Sequence, residues 1–199
     1  MRTIVFIDGQ NLYHSARQAW SSSGSASSVY TWPSYDVEKL ADALVSRISG
    51  RALSETRFYT GVPDPAFGET QRFWHGFWAN KLRHLRRRGV YVYRGRVSPE
   101  GQEKGVDVSL AIDLVKLTYE QAYDVAIIIS QDWDFGPAVR LAKEIAQSQN
   151  RSLVFESAFP RRPGTTQRIR GVPGTTWVEI EKPLYDACLD SRDYRPAKA

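Results

Sequence analysis

Val125-Ala126-Ile127-Ile128-Ile129-Ser130-Gln131-Asp132-Trp133-Asp134 is the stretch that decides the fold. Five consecutive apolar residues, most of them β-branched, leave no polar face. Such a strand has to be covered on both sides, as strands of a parallel sheet are. The run then breaks into a serine and two aspartates. The start of the chain repeats this plan, with strand-like residues 3–7 followed by Asp8-Gly9-Gln10-Asn11. Further strand-like runs occupy residues 56–60, 90–93, 152–155 and 177–180. Between them, helical periodicity predicts helices over 11–20, 37–49, 69–88, 106–119 and 137–147. This alternation predicts a Rossmann-like, doubly wound α/β domain with right-handed crossovers and a mostly parallel sheet.

The 199 residues suit one such domain, taken here as residues 1–199. Two segments interrupt the pattern: a Ser-rich insertion at 21–28 and a basic, Gly/Pro-rich loop at 159–176. At 42% hydrophobic and 25% charged the composition is that of a soluble globular protein. No run approaches the roughly 18 apolar residues that span a bilayer, so no membrane partner is expected. One cysteine, Cys188, excludes an internal disulfide, and the three histidines lack zinc-ligand spacing. A reducing cytoplasm and a hard metal bound by oxygen are the corresponding expectations. The net charge of +5 favours a polyanionic partner.

In open parallel sheets, ligands bind at the carboxyl ends of strands where strand order reverses. Asp8 ends the first strand, Asp132 and Asp134 follow another, and Asp107 sits in the first turn of the helix leading into it. Singly, each has an ordinary explanation. Asp8-Gly9 suits a turn, Asn11 or Asp134 suits a helix cap, and Asp107 suits a helix dipole. Jointly, carboxylates on one sheet edge repel one another unless a cation neutralises them. Oxygen donors of this kind suit Mg²⁺ or Mn²⁺ and metal-assisted phosphodiester hydrolysis. Lys104 either adds positive charge near the reacting phosphate or is a solvated loop lysine. Asp113 lies about 120° around the helix from Asp107 and is expected to pair with Lys116, outside the site. No P-loop and no Gly-x-Gly-x-x-Gly pattern is present.

The helix over 69–88 carries an aromatic stripe, read as core, and a dense basic end. Lys81, Arg83, Arg86, Arg87 and Arg88, followed by Arg94 and Arg96, form a patch that phosphate contacts would explain. Arg161, Arg162, Arg168 and Arg170 add a second basic group on the loop.

Three motifs carry a resemblance to a known family: Phe6-Ile7-Asp8-Gly9-Gln10-Asn11-Leu12, the stretch Lys104-Gly105-Val106-Asp107-Val108-Ser109-Leu110-Ala111, and Ser130-Gln131-Asp132-Trp133-Asp134-Phe135-Gly136. In order and spacing they resemble the NYN-domain branch of the PIN-like nuclease superfamily, over roughly residues 1 to 157. The resemblance implies a PIN-like fold, a Mg²⁺- or Mn²⁺-dependent ribonuclease activity and RNA as partner. It gives metal-binding roles to Asp8, Asp107, Asp132 and Asp134, and makes Asn11 and Ser130 polar neighbours that orient ligand or water. The chain departs from the family at Gln131 and Trp133, where small residues are usual. Trp133 either closes the cleft or offers a base-stacking surface. Two alternatives remain open: a non-catalytic nucleic-acid-binding module that keeps the acidic edge, and a small-molecule phosphohydrolase.

Overall fold

The computed structural model describes residues 1–21, 29–98, 101–162, 164 and 170–196. Among these, seven strands share one sheet: β1 (Arg2–Asp8), β2 (Ala52–Pro63), β3 (Tyr91–Val97), β4 (Glu103–Lys104), β5 (Val125–Ile129), β6 (Val154–Pro160) and β7 (Thr176–Ile180). Their order is β4-β3-β2-β1-β5-β6-β7. Every pairing is parallel except β3 with β4. The helices are α1 (Gly9–Trp20), α2 (Val37–Ser46), α3 (Glu69–Arg87), α4 (Val106–Tyr119), α5 (Gly136–Ser148) and α6 (Lys182–Ala187).

Because side chains alternate along a strand, β1 and β5 feed two cores at once. Val5, Ile7, Ile127 and Ile129 pack beneath α1, α2 and α3, together with Leu40, Phe58 and Trp78. Ile4, Phe6, Ala126 and Ile128 pack beneath α4 and α5, together with Leu110, Leu114 and Val139. All five residues of β5 are buried, and each large aliphatic side chain there contributes about 1.5–3 kcal/mol through burial. The chain leaves β1 toward β2 and β3 on one side, then returns through α4 to β5 on the other. Strand order therefore reverses between β1 and β5. This is the doubly wound arrangement that the alternation of strands and helices predicts.

Several details differ from expectation. β6 continues through Pro160 and β7 begins at Thr176, so the ends of the 159–176 loop are strand. Residues 22–28 of the Ser-rich insertion, together with Arg168, lie outside the described residues. The short β4 and α6 give no periodic signal and were not anticipated. Asp113 does not pair with Lys116. Its Oδ2 accepts from Arg57 at 2.9 Å and from the Tyr59 hydroxyl at 2.8 Å, because that face of α4 lies on the sheet. Lys116 instead meets Glu120.

Lys81 is a larger correction. It is fully buried, so it is no part of a phosphate-binding surface. Its Nζ donates to the Pro33 and Tyr35 carbonyls, each at 2.7 Å. Burial pushes its pKa down to about 8. The aromatic stripe of α3 behaves as read, with Phe77 and Trp78 buried in the core.

Candidate active site

The two loops at the reversal point are stitched together by the residues that end their strands. Asp8 is buried, 4% exposed. One of its oxygens caps α1 by accepting from the Asn11 backbone N–H at 3.0 Å; the other accepts from the Ser130 hydroxyl at 3.2 Å. The same Ser130 oxygen accepts from the Asp132 N–H at 3.1 Å. Asn11, expected as a possible cap, instead reaches across: its Oδ1 accepts from the Gln131 N–H at 3.1 Å. Ser157 adds support from β6, donating to the Ser130 carbonyl and accepting from the Val172 N–H. Asp8, Asn11 and Ser130 thus combine local structural roles with a fixed placement at the site.

Asp132 caps the turn Trp133–Phe135, its Oδ1 accepting from the Asp134 N–H at 2.9 Å. Asp134 makes no cap. The residue before α5 is Phe135, with no side-chain cap bond, which leaves the Asp134 carboxylate exposed to solvent. Asp107 projects from the first turn of α4, behind Gly105, whose φ of 79° turns the chain from β4 into the helix. A side chain at this left-handed position is disfavoured, which suits glycine.

One acidic residue was missed by sequence reasoning. Glu103, on β4, accepts from the Gly61 N–H at the end of β2 and faces both Asp8 and Asp107. Its signal in the sequence was only adjacency to Lys104 and Gly105; the pairing that swings it inward is between distant segments.

Electrostatically the five carboxylates form one group. Asp8 is pushed up to about 7, first by burial and then by Asp107 and Asp132, against the two hydrogen bonds that favour its charge. Glu103 is pushed up to about 7 by burial, with Asp8 and Asp107 adding to it. Asp107 is raised by burial and by Asp132 and Asp134. A hard divalent cation relieves this repulsion, and an all-oxygen donor set suits it. Among the described residues, no three such side chains are drawn into a complete metal cage. A Mg²⁺-like ion, which keeps several waters and needs only one or two carboxylates, still fits.

Lys104 is exposed, and its Nζ donates to Gln102 at 3.2 Å rather than to a carboxylate. Trp133 is 49% exposed beside Asp132, with the Arg170 guanidinium 5.5 Å from its ring centroid. On the flank, Arg83, Arg86, Arg87, Arg94 and Arg96 are exposed, whereas Arg88 is engaged by Glu38.

A doubly wound, mostly parallel sheet with carboxylates gathered where its strand order reverses has the architecture of a PIN-like α/β domain. The NYN domain family model matches residues 2–150, and the chain belongs to that family. No curated protein matches it. Among solved structures, the chain is similar to a protein of unknown function from Vibrio parahaemolyticus RIMD 2210633, at 18% identity and a TM-score of 0.51. That likeness covers 91% of this chain and 93% of the other, and it bears on the fold alone.

Proposed function

We propose that the chain is a divalent-metal-dependent ribonuclease, cleaving phosphodiester bonds at the acidic edge. The observation that carries this reading is the gathering of Asp8, Glu103, Asp107, Asp132 and Asp134 at the reversal point of the sheet, where Asp8, Glu103 and Asp107 are each raised by burial and by neighbouring carboxylates. Asp8, Asp107, Asp132 and Asp134 would hold Mg²⁺ or Mn²⁺. When bound, such an ion lowers the pKa of a water and polarises a phosphoryl oxygen.

The protein's own contribution is placement. Ser130 and Asn11 fix the β1 and β5 loops against each other, so that the carboxylates keep their spacing. Glu103 is poised near neutral ionisation and is suited to take or return a proton beside the reacting phosphate. Trp133 offers an exposed ring for a base of a single strand. The excess of basic residues and the exposed arginines on α3 and β3 supply phosphate contacts, and the single cysteine fits a reducing cytoplasm. No helix among the described residues is long and apolar enough to cross a membrane.

The absence of a complete cage among the described residues favours one competitor, a binding module that does not turn over. Turnover decides between them. Labelled single-stranded RNA, structured RNA and DNA would be incubated with Mg²⁺ or Mn²⁺. We expect RNA cleavage that chelator abolishes and that Asp132→Asn lowers by at least roughly a hundredfold, because the metal platform supplies much of the catalysis. Binding without any cleavage would favour the non-catalytic module.

A further inference from the structure

Arg83, Arg86 and Arg87 of α3 converge with Arg94 of β3 on one cavity of about 410 Å³, whose apolar lining includes Val62 and Leu82. All four arginines are exposed, and none forms an ion pair among the described residues. Several arginines elsewhere in the chain are compensated. Arg2, Arg51, Arg57, Arg88 and Arg151 each meet a carboxylate. Four uncompensated guanidinium groups around one concavity repel one another, and an anion in their midst removes that cost.

We infer that this pocket binds a terminal phosphate of a single-stranded RNA whose neighbouring nucleotides lie across the acidic edge. The inference rests on the nuclease reading and adds an end preference to it. Two observations favour an end group over an internal phosphate. A phosphodiester within a strand carries one negative charge and needs an open groove on both sides. A phosphomonoester carries about −1.5 to −2 at neutral pH, fits a cavity, and presents three oxygens to forked guanidinium donors. The distance is also suitable. Asp8 pairs in register with Tyr59, and the next residue, Thr60, pairs with Arg94. Two strand spacings, roughly 10 Å, therefore separate the backbones that carry Asp8 and Arg94. Alternation sends Asp8 to the α4 face and Arg94 to the α3 face, so the RNA has to cross the carboxyl rim of β2 and β3 between them. The apolar lining gives the terminal sugar a surface to rest on.

The test uses short single-stranded RNAs of one sequence carrying a 5′-phosphate, a 3′-phosphate or hydroxyls at both ends. Binding is measured by fluorescence anisotropy in chelator, where cleavage plays no part. We expect one phosphorylated RNA to bind at least about tenfold tighter than the hydroxyl form, a difference of about 1.4 kcal/mol. Arg83→Ala with Arg94→Ala should erase that advantage, whereas Arg140→Ala on α5 should retain it. Inorganic pyrophosphate should compete for the same RNA.

Equal affinity for all three RNAs would overturn the inference, as would an advantage that survives the double substitution. Arginine-dependent pyrophosphate binding without any end preference would also overturn it, and would make the pocket a site for a free phosphate ligand. An end preference in a protein that never cleaves would sink the nuclease reading alone. Metal-dependent cleavage with no end preference would sink the pocket alone.

Discussion

At pH 8 the metal-free protein holds Asp8 as an almost fully buried anion among other anions. Its pKa is about 7 in the folded chain against an ordinary 3.8. Below about pH 4 both states are protonated and nothing is lost. As pH rises to 7 the unfolded carboxyl ionises first, and above 7 the folded state bears the whole penalty, up to about 4 kcal/mol. Asp8→Asn keeps the cap on α1 and removes the charge. Its Tm should therefore exceed that of the wild type by about 5 °C at pH 8 and match it at pH 4. A lower Tm at both pH values would mean that the hydrogen bonds of Asp8 outweigh its repulsion. Glu103→Gln keeps an acceptor for the Gly61 N–H and loses the proton-transfer group. At pH 8 cleavage should fall at least about tenfold while Tm rises, because the folded pKa of Glu103 is likewise raised to about 7; an unaltered rate would remove Glu103 from the site. The meeting of Asp8, Asp107, Asp132 and Asp134 at one sheet edge was legible because each marks the end or start of a strongly patterned element. Glu103 was not, since its inward turn depends on Gly61, 42 residues away. Lys81 was misread for the reverse reason: its charge implies surface, and only the carbonyls of Pro33 and Tyr35 explain its burial.

The elements that place these side chains meet at close quarters around α4. A Cβ on Gly95 of β3 would stand 2.4 Å from Val106 Cγ2 and 3.1 Å from the Lys104 carbonyl. Gly95→Ala should push back the start of α4, and Asp107 with it. We expect a stability loss of about 1–3 kcal/mol, typical of overpacking, in urea titrations, with a cleavage loss beyond that explained by unfolded protein. Full activity per folded molecule would show that α4 shifts without consequence. The long elements were readable because their pattern is decided locally: an all-apolar β5 and an aromatic stripe on α3 fit only the core. β4 and α6 escaped because a two-residue strand and a six-residue helix owe their existence to tertiary partners.

Across the whole molecule, one sheet carries negative charge at its reversal point and uncompensated arginines at its flank. Salt should weaken RNA binding steeply, since released counterions scale with phosphate contacts. Arg86→Ala with Arg87→Ala should flatten that dependence by about one to two in slope; an unchanged slope would remove α3 from the binding surface. The fold's topology was legible from the alternation of patterned segments, and the edge bearing the carboxylates followed from the switch-point rule. The arginine cavity was not legible. Sequence showed basic residues in a row but not which of them face β3, nor that Glu38 neutralises Arg88. The claim on which all this depends is that the carboxylates share one cation. Calorimetric titration with Mn²⁺ at pH 8 tests it most directly. A saturable site should appear in the wild type, and Asp8→Asn, Asp107→Asn and Asp132→Asn should each weaken it at least about tenfold, as expected when a charged ligand is lost. Identical Mn²⁺ binding in all four proteins would contradict the account.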